Sequence, residues 1–212
     1  MDPALVVAFV VAVFLLSVAP GPDMLFIVAN AAAGGRRAGL VSAVGMSTGL
    51  AVHTVAAALG LSALIAAAPD ALVVIRVAGA GFLVYLAISS WRASRAAGTE
   101  ERAKPVKERS LRKLYAMATL TNLANPKVVL FYLAFLPQFL SHGPGAWPIP
   151  VQLLTLGVVF IVVGLSVDGT VGFTAGSLAD KVLGRPAVRR RLERASALIF
   201  GGLAVRLALD SR

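Results

Sequence analysis

The chain has 212 residues, of which 58% are hydrophobic and only 14% are charged, and its mean hydropathy is +0.84. A soluble domain of this size carries more charge, so the composition indicates a chain whose main solvent is lipid. The net charge of +10 comes without a nucleic-acid recognition motif, which argues against nucleic-acid binding. The chain has no cysteine and only two histidines, far apart, so we expect neither a metal site nor a cofactor.

Six stretches are apolar enough, and at about 20 residues long enough, to cross a bilayer. They are 4–30, 38–67, 71–91, 114–140, 150–178 and 193–209. The sequence therefore predicts an all-α integral membrane protein with six transmembrane helices. We expect one domain over 1–212, made of a first half 1–91, a cytoplasmic linker 92–113 and a second half 114–212.

Basic residues are concentrated in alternate connections between the predicted spans. Most of the 20 Lys and Arg residues follow the first, third and fifth spans, whereas the turn at Pro69 and the loop 141–149 contain none. The positive-inside rule places the basic loops in the cytoplasm. Both termini and the loop 141–149 are therefore predicted to lie outside.

Two proline motifs interrupt the first and fourth predicted spans, and each sets a helix breaker beside an ionisable side chain. They are Pro20-Gly21-Pro22-Asp23 and Asn125-Pro126-Lys127. Non-helical backbone at membrane depth is tolerated only against protein or a water-filled cavity. A buried acid or base there usually serves a function, and broken helices at corresponding places in two halves indicate the binding site of a transporter.

Three spans in each half would give the halves opposite orientations, so the two breaks would be related by a pseudo-two-fold axis in the membrane plane. Aligning Pro22 with Pro126 places Asp23 opposite Lys127. One interpretation is a structural ion pair that joins two helices. The other is a substrate or proton site where the breaks meet, which we favour because a structural pair needs no proline beside both members.

His53 lies near the centre of the second span, on a face where Gly45, Gly49, His53 and Ala57 recur every four residues. Small residues in this pattern allow a neighbouring helix to approach closely. His53 should therefore face the bundle, either as a proton relay or as a hydrogen-bonded packing residue.

Further polar residues complete the predicted pathway. Asp168 lies in the glycine-rich fifth span, where it could contact a proton or cation or pair with an interfacial arginine. Asn30, Asn122 and Asn125 are hydrogen-bonding candidates near the two breaks.

With these motifs, the chain resembles the LysE/RhtB family of amino-acid exporters. The matching segments extend over essentially the whole chain and are 19–25, 34–40, 45–53, 125–139 and 201–207. The resemblance implies proton-driven export of amino acids from the cytoplasm across the bacterial inner membrane. It also implies that the functional residues are those of the two proline motifs, namely Pro20, Gly21, Pro22, Asp23, Asn125, Pro126 and Lys127.

One departure from the family pattern bears on the substrate. Many members carry an acid a few residues before the histidine of the second span, whereas this chain has Gly49-Leu50. A proton or cation role at that position would here fall to Asp23 or Asp168. The departure argues against a cationic substrate such as lysine.

The sequence thus predicts a secondary active exporter of neutral or weakly polar, zwitterionic amino acids, and not an enzyme. Its expected partners are the amino acid, protons and the lipid bilayer, and a homo-oligomer is compatible with the sequence. The alternatives are export of another small solute or a metal ion on the same scaffold, a structural membrane protein and an intramembrane enzyme. For a serine enzyme, the stretch from Gly164 through Ser166 to Asp168 lacks the last glycine of a Gly-x-Ser-x-Gly elbow.

Overall fold

A computed structural model describes residues 1–96, 110–182 and 186–209, and within these ranges the chain is helical, without strands. Most of the predicted linker 92–113 lies outside the described residues. The helices are α1 Pro3–Val18, α2 Pro22–Ala56, α3 Ser62–Ala67, α4 Pro69–Ala96, α5 Leu111–Leu123, α6 Pro126–Leu130, α7 Ile149–Val182 and α8 Pro186–Leu209. A π-helical turn, Ala57–Leu61, joins α2 to α3, and a second, Phe131–Phe135, follows α6 and leads into the 3-10 turn Leu136–Phe139.

Among the described residues, three helical stretches are long and apolar enough to cross a membrane, namely Pro22–Leu61, Val73–Arg95 and Ile149–Ala175. Two further apolar stretches, Pro3–Val18 and Pro126–Phe139, are shorter. Large apolar side chains such as Leu59, Val74 and Leu198 point away from the protein, as expected of helices that face lipid.

The predicted boundary between the first two spans is present as a sharp turn at Gly35. The first predicted span, 4–30, is divided at its proline motif, and its second part belongs to α2. Helix α2 comprises two helical parts that fold back on each other at Gly35 (φ 72°, ψ −169°). Ile27 of the first part packs in one cluster with Met46 of the second, and Asp23 and Gly49 both contact Asn122. Glycine adopts a positive φ without a steric penalty, so the chain bends there while helix resumes on both sides.

The centre of the fold is the second part of α2, which packs between α5 and α7. A Cβ atom at Gly45 would collide with Ala118, and one at Gly49 would collide with Asn122. The later residue of α2, Gly49, contacts the later residue of α5, Asn122, so the second part of α2 and α5 are parallel. The predicted close approach of a helix to the small-residue face is confirmed.

The contacts between α2 and α7 advance in opposite directions, so these helices are antiparallel. Gly39 meets Gly172 backbone to backbone, whereas Thr54 packs against Gly157 near the other end of the interface. Asp168 lies one turn from Gly172 on this glycine-rich helix, which therefore faces the interior as predicted.

The contacts also show which ends of the helices lie together. The backbone N–H of Asp2 donates a hydrogen bond to Ser141 Oγ (2.9 Å), so the N-terminus adjoins the loop 141–149. The guanidinium of Arg206, near the end of α8, lies 4.9 Å from the ring centroid of Phe139, just before that loop. The N-terminus, the loop and the end of α8 thus share one end of the protein.

Candidate functional site

The first helix break presents free carbonyl groups to the lysine of the second. Proline has no backbone N–H, so Pro20 cannot donate to the carbonyl of Leu16 four residues earlier, and α1 ends at Val18. Lys127 Nζ donates to Leu16 O (3.0 Å) and to Ala19 O (3.1 Å). The ammonium group thus lies at the C-terminus of α1, where the helix dipole favours a positive charge.

Gly21 leaves the space that this lysine occupies. A Cβ atom at Gly21 would lie 3.2 Å from Lys127 Nζ and 3.6 Å from Cε. Any larger residue would therefore crowd the ammonium group against its carbonyl partners.

Asp23 occupies the first turn of α2, directly after Pro22 at the start of the helix. A carboxylate is favoured there because the N-terminus of a helix carries partial positive charge. Asp23 is 8% exposed, and its Oδ2 accepts a hydrogen bond from Asn122 Nδ2 (2.7 Å). Its other oxygen, Oδ1, is buried and has no hydrogen-bond partner.

The second break, like the first, has a proline at the start of the helix that follows it, but here a side chain also caps that helix. Asn125 caps α6 through its Oδ1, which accepts from the backbone N–H of Lys127 (3.0 Å). Pro126 has no N–H to offer the carbonyl of Asn122 four residues earlier. The ring of His53 interacts with the backbone of Asn122.

His53 faces the bundle as predicted. Its ring stacks on Tyr132, with the centroids 5.5 Å apart, and its Nε2 is buried without a hydrogen-bond partner. Tyr132 is fixed by its hydroxyl, which donates to Leu50 O (3.1 Å) and lies 2.8 Å from Thr54 Oγ1. The histidine is thus held between the second break and an immobilised tyrosine.

Three charged side chains, Lys127, Asp23 and Asp168, lie within electrostatic range of one another, and we call them the cluster. Lys127 interacts with both Asp23 and Asp168, and the two acids interact with each other. The hydrogen bonds of Asp23 and Lys127 go to other groups, so their attraction operates without a shared hydrogen bond. The arrangement differs from a simple ion pair that ties two helices together.

Asn30 is the predicted site residue with the least connection to this cluster. It is buried, and its Nδ2 donates to Phe26 O (2.8 Å) within its own helix.

Unpartnered polar atoms accumulate at the two breaks, although most buried polar groups in proteins are hydrogen-bonded. The buried atoms without partners there are Asp23 Oδ1, Asn122 Oδ1, Asn125 Nδ2 and His53 Nε2. Both hydrogen-bond donors and acceptors are therefore available. In the part of the chain that the structure describes, no three His, Cys, Asp or Glu side chains are grouped so that they could hold a metal ion.

An apolar pocket adjoins Lys127 at the junction of α1, α4, α8 and the segment after α6. Its lining includes Leu16, Leu83, Leu130, Phe135, Leu203 and Leu207. Gly79 of α4 also lines it and packs against Ala134, which brings α4 close to the segment after α6.

Tyr132 and Thr54 are part of the site but were not identified from the sequence. Tyr132 lies in a long apolar run, five residues after Lys127, a spacing that does not share a face in an α-helix. The π-helical turn Phe131–Phe135 changes this register, and such turns are frequent at functional sites. The one feature of the sequence that could have indicated Tyr132 is the occurrence of a tyrosine in a span that a proline interrupts.

Comparisons with known proteins cover nearly the whole chain. The model of the LysE type translocator family matches residues 14–211. A homoserine/homoserine lactone efflux protein of Salmonella typhimurium is 31% identical over 193 residues, which are 91% of this chain and 90% of that protein. A leucine efflux protein of Klebsiella pneumoniae is 31% identical over 214 residues (93% and 91%), and an uncharacterized membrane protein of Vibrio cholerae is 32% identical over 212 residues (98% of each). No solved structure shows significant similarity to the chain.

Proposed function

Because this chain belongs to the LysE family of translocators, we propose that it exports zwitterionic amino acids from the cytoplasm through the site where its two helix breaks meet. The names of its relatives support amino-acid efflux and indicate a transporter, not an enzyme. The observation that carries the proposal is the set of buried polar atoms without partners at the breaks.

These atoms match the two charged ends of an amino acid. An ammonium group has three N–H donors, and Asp23 Oδ1 and Asn122 Oδ1 are free acceptors. A carboxylate accepts hydrogen bonds, and Asn125 Nδ2 is a free donor. Lys127 uses two of its three N–H bonds on the carbonyls of α1, which leaves one for the carboxylate.

The apolar surroundings of Lys127 support a neutral side chain on the substrate, and the pocket, which as folded has room for about one water molecule, would widen to admit it. Its walls are aliphatic and aromatic apart from the lysine itself. A charged side chain would lose its hydration there without gaining a partner, which is costly in an apolar environment. We therefore favour aliphatic or weakly polar amino acids over cationic ones.

For the membrane topology, we propose six spans in two inverted halves, with both termini outside the inner membrane. In a chain of six alternating spans, the second span is parallel to the fourth and antiparallel to the fifth. The second part of α2 is parallel to α5 and antiparallel to α7, which supports this topology. The contact between Asp2 and Ser141 supports placing the N-terminus on the same side as the loop 141–149. The positive-inside rule supplies the absolute orientation.

We propose the proton gradient as the energy source. Moving one elementary charge across 100 mV supplies about 2.3 kcal/mol, which supports a concentration ratio of about fifty-fold. An exporter that imports one proton per zwitterion could therefore empty the cytoplasm against a modest gradient.

The test is efflux of individual labelled amino acids, beginning with leucine and homoserine, from loaded cells with and without the protein. Efflux above the passive leak is expected only with the unaltered protein, and a protonophore should abolish it. Asp23→Asn at matched abundance is the control for leak through a folded but inactive protein. Efflux that continues unchanged at zero membrane potential and zero pH difference would contradict proton coupling, and no efflux of any amino acid would contradict the function.

A further inference from the structure

Asp168 lies on α7, where this helix packs against α2. Gly164 and Gly172 lie one turn before and one turn after it, and both pack against α2, at Leu50 and at Gly39. These contacts place Asp168 on the face of α7 that α2 crosses. Leu50 adjoins Gly49, which packs against Asn122, the hydrogen-bond partner of Asp23, so this face of α7 borders the site. The charged groups that act on Asp168 electrostatically are Asp23, from the start of α2, and Lys127, from α6.

Further charged and titratable groups on the packed elements lie beyond these two. His53 of α2 interacts with Asp23. Arg36 of α2 is occupied near the other end of the interface, where its guanidinium lies 4.5 Å from the ring centroid of Phe173. Asn122 of α5 is polar but does not titrate in the physiological range.

The charges of the cluster do not balance. Two carboxylates, Asp23 and Asp168, face one ammonium group, Lys127, so the fully ionised cluster carries one net negative charge. Two neighbouring carboxyl groups in a poorly solvated site oppose each other's ionisation and together tend to hold a proton. Independently, Asp23 Oδ1 is more than nine-tenths buried and has no hydrogen-bond partner. One more positive charge, from a proton or a bound ammonium group, would therefore be favourable at this site.

We propose that Asp168 is the proton carrier of the transport cycle, protonated when no substrate is bound and deprotonated when the substrate's ammonium group binds at Asp23. This inference rests on the proposed amino-acid export. In the cytoplasm-facing site the O–H bond of Asp168 breaks, its proton passes to cytoplasmic water, and the ammonium group becomes the positive partner of the two acids. On the outside the amino acid leaves and Asp168 takes a proton from external water.

The charge balance of this cycle is definite. The cluster with a protonated Asp168 is neutral, whereas the cluster with a bound zwitterion and an ionised Asp168 carries one negative charge. One negative charge therefore moves outward with the substrate and none returns with the proton. Each cycle moves one positive charge inward, so the membrane potential as well as the pH gradient drives efflux.

Two assays on Asp168→Asn in proteoliposomes test the proposal. The first measures uphill transport driven by a pH gradient and membrane potential. The second measures exchange of labelled for unlabelled amino acid with no gradient, which needs substrate binding but no proton. The variant should retain exchange, at a reduced rate, and lose uphill transport to the level of the leak. A merely structural role would reduce both assays together, and that result would overturn the proposal.

Control variants separate the carboxyl group from the helix. Ser166→Ala, two residues away on α7, removes an exposed hydroxyl that bonds only within its own helix, to Val162 O. It should leave both assays unchanged. Asp168→Glu keeps the carboxyl group and should restore uphill transport that Asp168→Asn lacks.

Proton release gives a readout that does not depend on whether a variant folds. Adding the transported amino acid to the unaltered, purified protein in weakly buffered detergent solution should release about one proton per bound molecule at neutral pH, followed with an indicator dye. Folded Asp168→Asn should release none. Binding without proton release by the unaltered protein, or uphill transport by Asp168→Asn, would overturn the assignment while leaving amino-acid export itself standing.

Discussion

The ammonium nitrogen of Lys127 lies 3.0 Å from the carbonyl oxygen of Leu16, the group that Pro20 leaves without a helical donor. The proline of one break thus creates the acceptor that the lysine of the other break fills. This contact joins parts of the chain that are 111 residues apart. Loss of the lysine would affect the end of α1 as well as the charge of the site.

We predict that Lys127→Met destabilises the protein more than Lys127→Gln, and that both abolish transport. Methionine leaves the carbonyls of Leu16 and Ala19 unpaired, at a cost of about 1–3 kcal/mol for each buried group. Glutamine can still donate through its amide, so it should recover part of that loss. Thermal unfolding midpoints in detergent and transport per folded molecule measure the two effects. Equal midpoints for the two variants would contradict the capping role.

The double change Asp23→Asn with Lys127→Gln separates a substrate site from a structural pair. Removing one partner of a buried charge pair costs about 3–5 kcal/mol, and the lack of a shared hydrogen bond here suggests the lower end. The double variant carries neither unpaired charge, so its abundance should exceed that of either single variant. Its transport should stay at the level of the leak. Near-normal transport per folded molecule would remove both residues from the substrate site.

Gly49→Ala should disrupt the position of Asn122 and reduce both stability and transport. The added Cβ would lie 2.5 Å from Asn122 Oδ1, so either the side chain must turn from Asp23 or α2 and α5 must separate. Overpacking of this kind costs about 1–3 kcal/mol. Gly81→Ala is the matched control, because its Cβ would meet no atom within 4 Å. Similar losses in both variants would show that alanine itself is the cause.

The orientation can be tested by single-cysteine labelling, because the chain has no native thiol. An impermeant reagent should label a cysteine at His142 in intact cells, since we place the loop 141–149 outside. A cysteine at Lys113, at the start of α5, should be labelled only after permeabilisation. The reverse pattern would show that the proposed orientation is wrong.

Local chemistry explains which parts of the site could be predicted from the sequence. Pro20 and Pro126 remove backbone donors wherever they occur, so the helix breaks follow from the residues alone. The four-residue spacing of Gly45, Gly49 and His53 likewise determines which face a neighbouring helix can approach. These features depend on interactions between near neighbours in the chain.

The partners of the charged groups depend on tertiary packing and were not predictable in the same way. Alignment of the breaks suggested that Lys127 faces Asp23, but the closest acceptors for its ammonium group are the carbonyls of α1. The turn expected at Gly34 and Gly35, by contrast, is present, because the positive φ of Gly35 is a local property of glycine. The partners of Lys127 depend on which helices pack together, and helix propensity does not determine that.

The backbone contact between Gly39 and Gly172 restricts how the molecule can move. Because no side chain separates α2 from α7 there, the helices have no rotamers to exchange, and sliding would drive backbone atoms into one another. The helix α8 packs mainly against α4, away from this crossing. We expect motion instead where α4 and α8 meet the segment after α6, beside the apolar pocket next to Lys127.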